Sequence, residues 1–245
     1  MPDLTQRQIK ILKCIIEEFI ETAESVGSET LERKYSLGVS PATIRNEMSS
    51  LTQLGYLKKS HSSSGRAPTS MGLKFYVRNL MIPKNLSTAE EIGAKEKVWD
   101  YRNEFEKLLK ETTKELASRT RSMAISTTDQ GLLFTYGASN LLEEPEFYNI
   151  DVTKTVLSLI DDTSFWFDVI DKAGGNKDPE NHLIRLIIGE DLGMEHLEPC
   201  GFVYQTYQAG PHRGILGIVG PARFHYQKVI PMVDYFAQLI SEITS

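Results

Sequence analysis

GVSPATIRNEMSSLTQLGYL, residues 38–57, contains a turn, a helix start, one amphipathic helix and a second turn, and the fold reading works outward from it. Ser40 has the side chain of a helix cap, and Pro41 falls at the first helical position, where a missing N–H costs nothing. Ile44, Met48 and Leu51, extended by Leu54, form one apolar stripe, which leaves Thr43, Arg45, Asn46, Ser49, Ser50 and Gln53 facing outward. Upstream, Ile9, Leu12, Ile15 or Ile16, and Phe19 recur at helical spacing over 5–23, with Thr5 and Gln8 as a capping box. Val26-Gly27-Ser28 breaks that helix, and Ser28 can start a short second one through Tyr35 before the turn Leu37-Gly38-Val39. This is helix-turn-helix spacing. Downstream, Tyr56 to Lys59 reads as a strand, 61–65 as a small polar loop, and Arg66-Ala67-Pro68 as the return strand, which together make a wing. Ser70 to Leu80 reads as a fourth helix with Leu73, Val77 and Leu80 on one face. Residues 1–82 are therefore expected to form a winged helix-turn-helix DNA-binding domain.

The charge distribution fits that expectation, although the net charge of −6 over 245 residues would argue against a polyanionic partner. Residues 1–80 hold 11 Lys and Arg against 8 Asp and Glu, a net of +3, whereas 81–245 hold 16 against 25, a net of −9. Between Arg45 and Leu80 there are six cations and a single acid, Glu47. A recognition helix reads base edges with its first turns, so Ser40, Ala42, Thr43, Arg45 and Asn46 are the candidate reading residues. Arg45 can donate two hydrogen bonds to guanine O6 and N7, and Asn46 can bracket adenine at N6 and N7. In the wing, Lys58, Lys59, His61 and Arg66 are candidate phosphate or minor-groove contacts, and Thr69 and Lys74 can add phosphate contacts at the next helix start.

Beyond Pro83 the polar stretch 83–93 reads as a linker, and 94–120 as one long helix carrying Trp99, Phe105, Leu108, Leu109 and Leu116. Strands are expected over 122–126, 132–136, 165–170, 183–188, 200–207 and 214–219, with helices over 152–160 and 225–243. That alternation predicts an α+β, sensor-like second domain over 94–245.

Catalytic chemistry is not expected there. Gly214, Gly217 and Gly220 match neither G-x-G-x-x-G nor a P-loop, and are expected to punctuate the ends of a buried strand. His182, His196, His212, His225 and Cys200 lack metal-ligand spacing, so no metal is expected. Ser139, Ser164 and Cys200 lack an elbow or a base, so no nucleophile and no cofactor site is expected. Two cysteines, Cys14 and Cys200, cannot build a disulfide framework. No apolar run is long enough to span a membrane, and MPDLTQRQIK has no secretory apolar core, so a cytoplasmic location is expected.

GVSPATIRNEMSSLTQLGYL and the following HSSSGRAPTSMGLKFYVRNL resemble the bacterial heat-inducible transcription repressor family HrcA. YGASNLLEEPEFYN, LIIGEDLGMEHLEPCGFVYQTY and GILGIVGPARFHYQKVIPMVDYFAQLISE extend the resemblance over most of the chain. It implies a GAF-like regulatory and dimerisation domain after the winged helix. It also implies a homodimer on an inverted-repeat operator called CIRCE, repression of the DnaK and GroEL chaperone operons in the heat-shock stress response, and a link to the GroEL chaperonin. Members of the family usually carry further sequence between the segments ending near Ile125 and starting near Leu132, including an inserted dimerisation module, which is reduced or absent here. The long helix, the final helix or the sheet would then supply the dimer interface. Three other readings are a winged-helix repressor controlled by a small effector in the GAF-like domain, an enzyme tethered to DNA, and an architectural DNA binder.

Overall fold

The computed structural model describes residues 4–59, 65–162, 164–166, 168 and 185–244. The chain divides into two compact units, Met1–Ile82 and Pro83–Ser245.

The first unit is built from α1 (Gln6–Thr22), α2 (Ser28–Lys34), α3 (Pro41–Gln53), the antiparallel strands β1 (Leu57–Lys59) and β2 (Arg66–Pro68), and α4 (Ser70–Asn79). The helix starts follow from their caps. Thr5 and Gln8 form a reciprocal capping box on α1, Ser40 accepts from the Thr43 N–H on α3, and Thr69 accepts from the Gly72 N–H on α4. Ile11, Leu12, Ile15 and Ile16 of α1, Leu31 of α2, and Ile44 and Leu51 of α3 are all at most 1% exposed, and α3 lies against both α1 and α2. The hairpin gains a third strand position, because the backbone of Val26 exchanges both hydrogen bonds with Arg66 at 2.9 Å.

The second unit is α+β. It contains α5 (Thr88–Trp99), α6 (Phe105–Thr120), β3 (Met123–Thr128), β4 (Leu133–Tyr136) and two 3₁₀ turns (Ala138–Glu143, Pro145–Tyr148). Then come α7 (Ile150–Asp161), β5 (Arg185–Ile188), α8 (Gly189–Leu192), β6 (Cys200–Ala209), β7 (His212–Pro221) and α9 (Tyr226–Ile243). The strands form one antiparallel sheet in the order β4-β3-β7-β6-β5. Strand alternation sends Met123, Ile125, Phe202, Tyr204 and Val219 to one face, where they pack with Phe147, Val156, Ile160 and Trp166. On the other face α6 lies against β3, and α9 against β6 and β7.

Several expectations need correction. The stretch 83–93 is irregular only as far as Ser87, which caps α5 in a box with Glu90. The single helix expected over 94–120 is two, α5 and α6, separated at Asp100–Glu104, and Trp99 stands 43% exposed between Lys95 and Arg102. Residues 165, 166 and 168 are helical where a strand was expected, because Asp162 accepts from the backbone N–H groups of Ser164 and Phe165 and starts a helix at 164. Positions 167, 169, 170, 183 and 184 of the expected strands lie outside the described residues.

Gly214, Gly217 and Gly220 sit inside β7, not at its ends. A Cβ at Gly214 would lie 2.0 Å from the Thr127 carbonyl oxygen, and one at Gly217 would lie 2.5 Å from that of Val203. One at Gly220 would press on the Phe224 ring at 2.7 Å. Close backbone approach and ring packing explain these glycines.

Candidate nucleic-acid interface

The start of α3 is organised by its own cap. The Ser40 hydroxyl accepts from the Thr43 N–H at 3.2 Å and lies 3.0 Å from the Thr43 hydroxyl, so these two side chains define the first turn. Ala42, Arg45 and Asn46 are exposed just beyond it, while Ile44, Met48 and Leu51 anchor the opposite side at 0–2% exposure. Glu47, the one acid of the helix, leans back to Arg7 of α1 at 3.5 Å, which partly neutralises it. Ser49 donates to the Arg45 carbonyl at 3.0 Å. The outward surface is therefore a cation and an amide on a rigid, otherwise small-residue face.

Lys58 and Lys59 are both exposed on β1, and since successive strand residues point to opposite faces, neither side of the hairpin is covered there. Arg66, opposite Lys59 in the register, is half-buried. Its Nε donates to the Thr52 hydroxyl of α3 at 3.2 Å and its Nη1 to the Gly65 carbonyl at 3.2 Å. Thr69 donates to the Gly55 carbonyl at 2.6 Å and accepts from the Gly72 N–H at 3.2 Å, so its hydroxyl is engaged in holding α4. Lys74 is half-buried on α4, and His61 lies outside the described residues. The structure thus gathers Ser40, Ala42, Thr43, Arg45 and Asn46 on one helix start, exposes Lys58 and Lys59 on the hairpin, and turns Arg66 and Thr69 toward the protein.

Two buried ionic clusters have no counterpart in the sequence reading. Glu18, 6% exposed on α1, accepts from Lys34 Nζ at 2.5 Å and from the Tyr35 hydroxyl at 3.1 Å, fixing the end of α2. Burial, and then the hydrogen bond to Glu18, pushes the Tyr35 hydroxyl far above its usual range. The signal was present, since Glu18 continues the Ile11-Cys14-Ile15 stripe and an acid on that stripe requires a buried partner. In the second unit Arg223, 9% exposed, donates to Glu146 at 2.6 Å and to Glu144 at 2.5 Å. Sequence separation hides that cluster.

Among the described residues no group of three or more His, Cys, Asp or Glu side chains is placed to hold a metal ion. An apolar cavity beside Trp166, Phe202 and Cys200 has a volume of about 30 Å³, roughly the room of a water molecule or two. Burial pushes the Cys200 thiol up to about 12, with Glu146 and Glu198 adding to it. Both thiols are buried, and burial also raises that of Cys14. A thiol reagent at pH 8 should therefore label neither cysteine in the folded chain and both once denaturant is added. Rapid native labelling of Cys200 would contradict this burial.

A sequence model of the HrcA protein C terminal domain matches residues 76–230. The heat-inducible transcription repressor HrcA of Symbiobacterium thermophilum is 26% identical, with 98% of each chain covered, and that of Carboxydothermus hydrogenoformans gives the same figures. Both alignments run over 341 positions against the 245 residues present here, so these relatives carry segments without a counterpart in this chain. A solved structure described as a hypothetical protein at 2.2 Å resolution is 20% identical, covers 99% of each chain and superposes with a TM-score of 0.78. That likeness concerns the fold. No helix among the described residues is long and apolar enough to cross a membrane.

Proposed function

The chain belongs to the HrcA family, and on that premise we propose that it is a sequence-specific transcriptional repressor of heat-shock genes whose first unit is a winged helix. The carrying observation is the exposed Arg45-Asn46 pair at a capped helix start, on the same compact unit as the exposed Lys58 and Lys59 of β1. In this reading α3 enters the major groove, Arg45 and Asn46 read base edges, and the lysines of the hairpin hold phosphates. The second unit is the GAF-like regulatory and dimerisation domain, and a homodimer binds an inverted repeat of the CIRCE type in front of chaperone operons. The GroEL chaperonin would keep it competent until unfolded clients divert it.

The short route from β3 to β4 supports a reduced insert. The turn is closed by Thr128, whose N–H donates to the Leu132 carbonyl at 3.0 Å and whose hydroxyl accepts from the N–H groups of Gln130 and Leu132.

Selection of bound sequences from random DNA, below and above a heat-shock temperature, tests operator and switching together. An enriched inverted repeat that is lost on heating is the expected result. No preference for an inverted repeat over scrambled DNA would leave an architectural binder. Arg45→Ala should cost about 1–3 kcal/mol on the enriched repeat and relax the base preference at one position per half-site. Equal losses on repeat and scrambled duplex would remove Arg45 from the reading role.

A further inference from the structure

We infer that Arg66 is a positioning residue that fixes the hairpin against the recognition helix, and that Lys58 and Lys59 are left as the phosphate-holding cations of β1 and β2. The inference rests on the DNA-binding reading above and refines its site. Three parts of the first unit meet at this residue. Its backbone N–H and carbonyl both pair with Val26, in the segment leaving α1. Its Cα faces Lys59 across the hairpin register. Its side chain reaches the last turn of α3, where Nε donates to Thr52 Oγ1.

The Thr52 contact is directional. The Thr52 hydroxyl donates its own proton to the Met48 carbonyl at 2.8 Å, so toward Arg66 it can only accept. Arg66 Nε supplies the missing donor, and Nη1 is held by the Gly65 carbonyl at 3.2 Å. Two points on one rigid plane fix the guanidinium, which a single ammonium cannot imitate. The base of the hairpin is equally tight, because a Cβ at Gly65 would fall 2.4 Å from the Ser25 hydroxyl oxygen. An error in the hairpin angle would move the lysines relative to the reading face of α3.

The test uses the full chain, with a duplex carrying the inverted repeat enriched from random DNA and a scrambled duplex of the same composition. Affinity is measured on both as a function of salt for wild type, Arg66→Lys, Thr52→Val and the double variant. If Arg66 positions the hairpin, Arg66→Lys and Thr52→Val each lower the repeat-to-scrambled ratio by roughly fivefold to tenfold. The salt slope then stays at the wild-type value, and the double variant loses no more than either single one. A phosphate contact behaves differently: a lysine largely preserves it, and Thr52→Val is silent. Arg66→Lys at wild-type ratio, or Thr52→Val without effect, overturns the inference. Circular dichroism of each variant at the assay temperature separates misfolding from misplacement, and Thr52→Ser should rescue the ratio. Wild type with no preference for the repeat sinks the functional reading instead, which is a distinguishable outcome.

Discussion

Arg223→Leu should lower the thermal midpoint of the second unit by about 6–12 °C, the equivalent of about 3 kcal/mol in a domain of this size. The guanidinium bridges Glu144 and Glu146 across the two 3₁₀ turns, and the side-chain exposures are 10% for Arg223, 15% for Glu146 and 34% for Glu144. Removing the cation leaves two carboxylates facing an apolar residue. Glu144 is open enough to regain water, which keeps the expected loss at the lower end of the range for a broken buried pair. The control is Arg223→Leu combined with Glu144→Gln and Glu146→Gln. With no unpaired charge remaining, the triple variant should recover at least half of the lost stability, measured calorimetrically at neutral pH. A single variant no less stable than wild type would show that the cluster contributes nothing.

The same loss should reach function under the proposed repressor role. Arg223 closes the segment between β7 and α9 onto the turns that lead into α7. A heat-released repressor with a weakened second unit should lose its operator at a lower temperature, with unchanged affinity well below it.

The first unit was legible wherever local chemistry and periodicity agreed. Thr5 with Gln8, Ser40 with Pro41, and the Ile44-Met48-Leu51 stripe each announce a boundary or a face without help from distant residues. The break at Asp100–Glu104 was not legible, because apolar residues continue at helical spacing on both sides of it. The aromatic run beginning at Phe165 carries strand propensity, yet the cap supplied by Asp162 and the Trp166 indole bond to the Ile160 carbonyl at 3.1 Å hold 164–166 helical. The glycines of β7 needed the partner strands and the Phe224 ring to be explained. Arg66 shows the limit for function: as a cation in a wing it reads as a phosphate contact, and its hydrogen bonds to the Thr52 hydroxyl and the Gly65 carbonyl turn it inward.

Gly72→Ala should destabilise the first unit by about 2–3 kcal/mol, against the sign that helix propensity alone gives. In an open helix interior, replacing glycine by alanine stabilises by about 1 kcal/mol. Here a Cβ would sit 2.3 Å from the Tyr56 carbonyl oxygen and 3.3 Å from its carbon. That carbonyl cannot retreat, because it accepts from the Thr69 N–H at 3.1 Å while the Tyr56 N–H is tied to Leu51 at 3.0 Å. The strain therefore falls on α4, which must move off the junction between α3 and β1 and give up the packing of Leu73 and Tyr76, both at most 2% exposed. Hydrogen exchange read peptide by peptide locates the effect in the intact chain. Faster exchange should spread over 44–57 and 70–80, while β6 and β7 keep their protection. Since the hairpin is rooted at the same junction, affinity for the inverted repeat and for scrambled DNA should fall together, unlike the selective loss expected for Arg45→Ala. Wild-type exchange across 44–57 in the alanine variant would mean that α4 accommodates the methyl group and does not support α3.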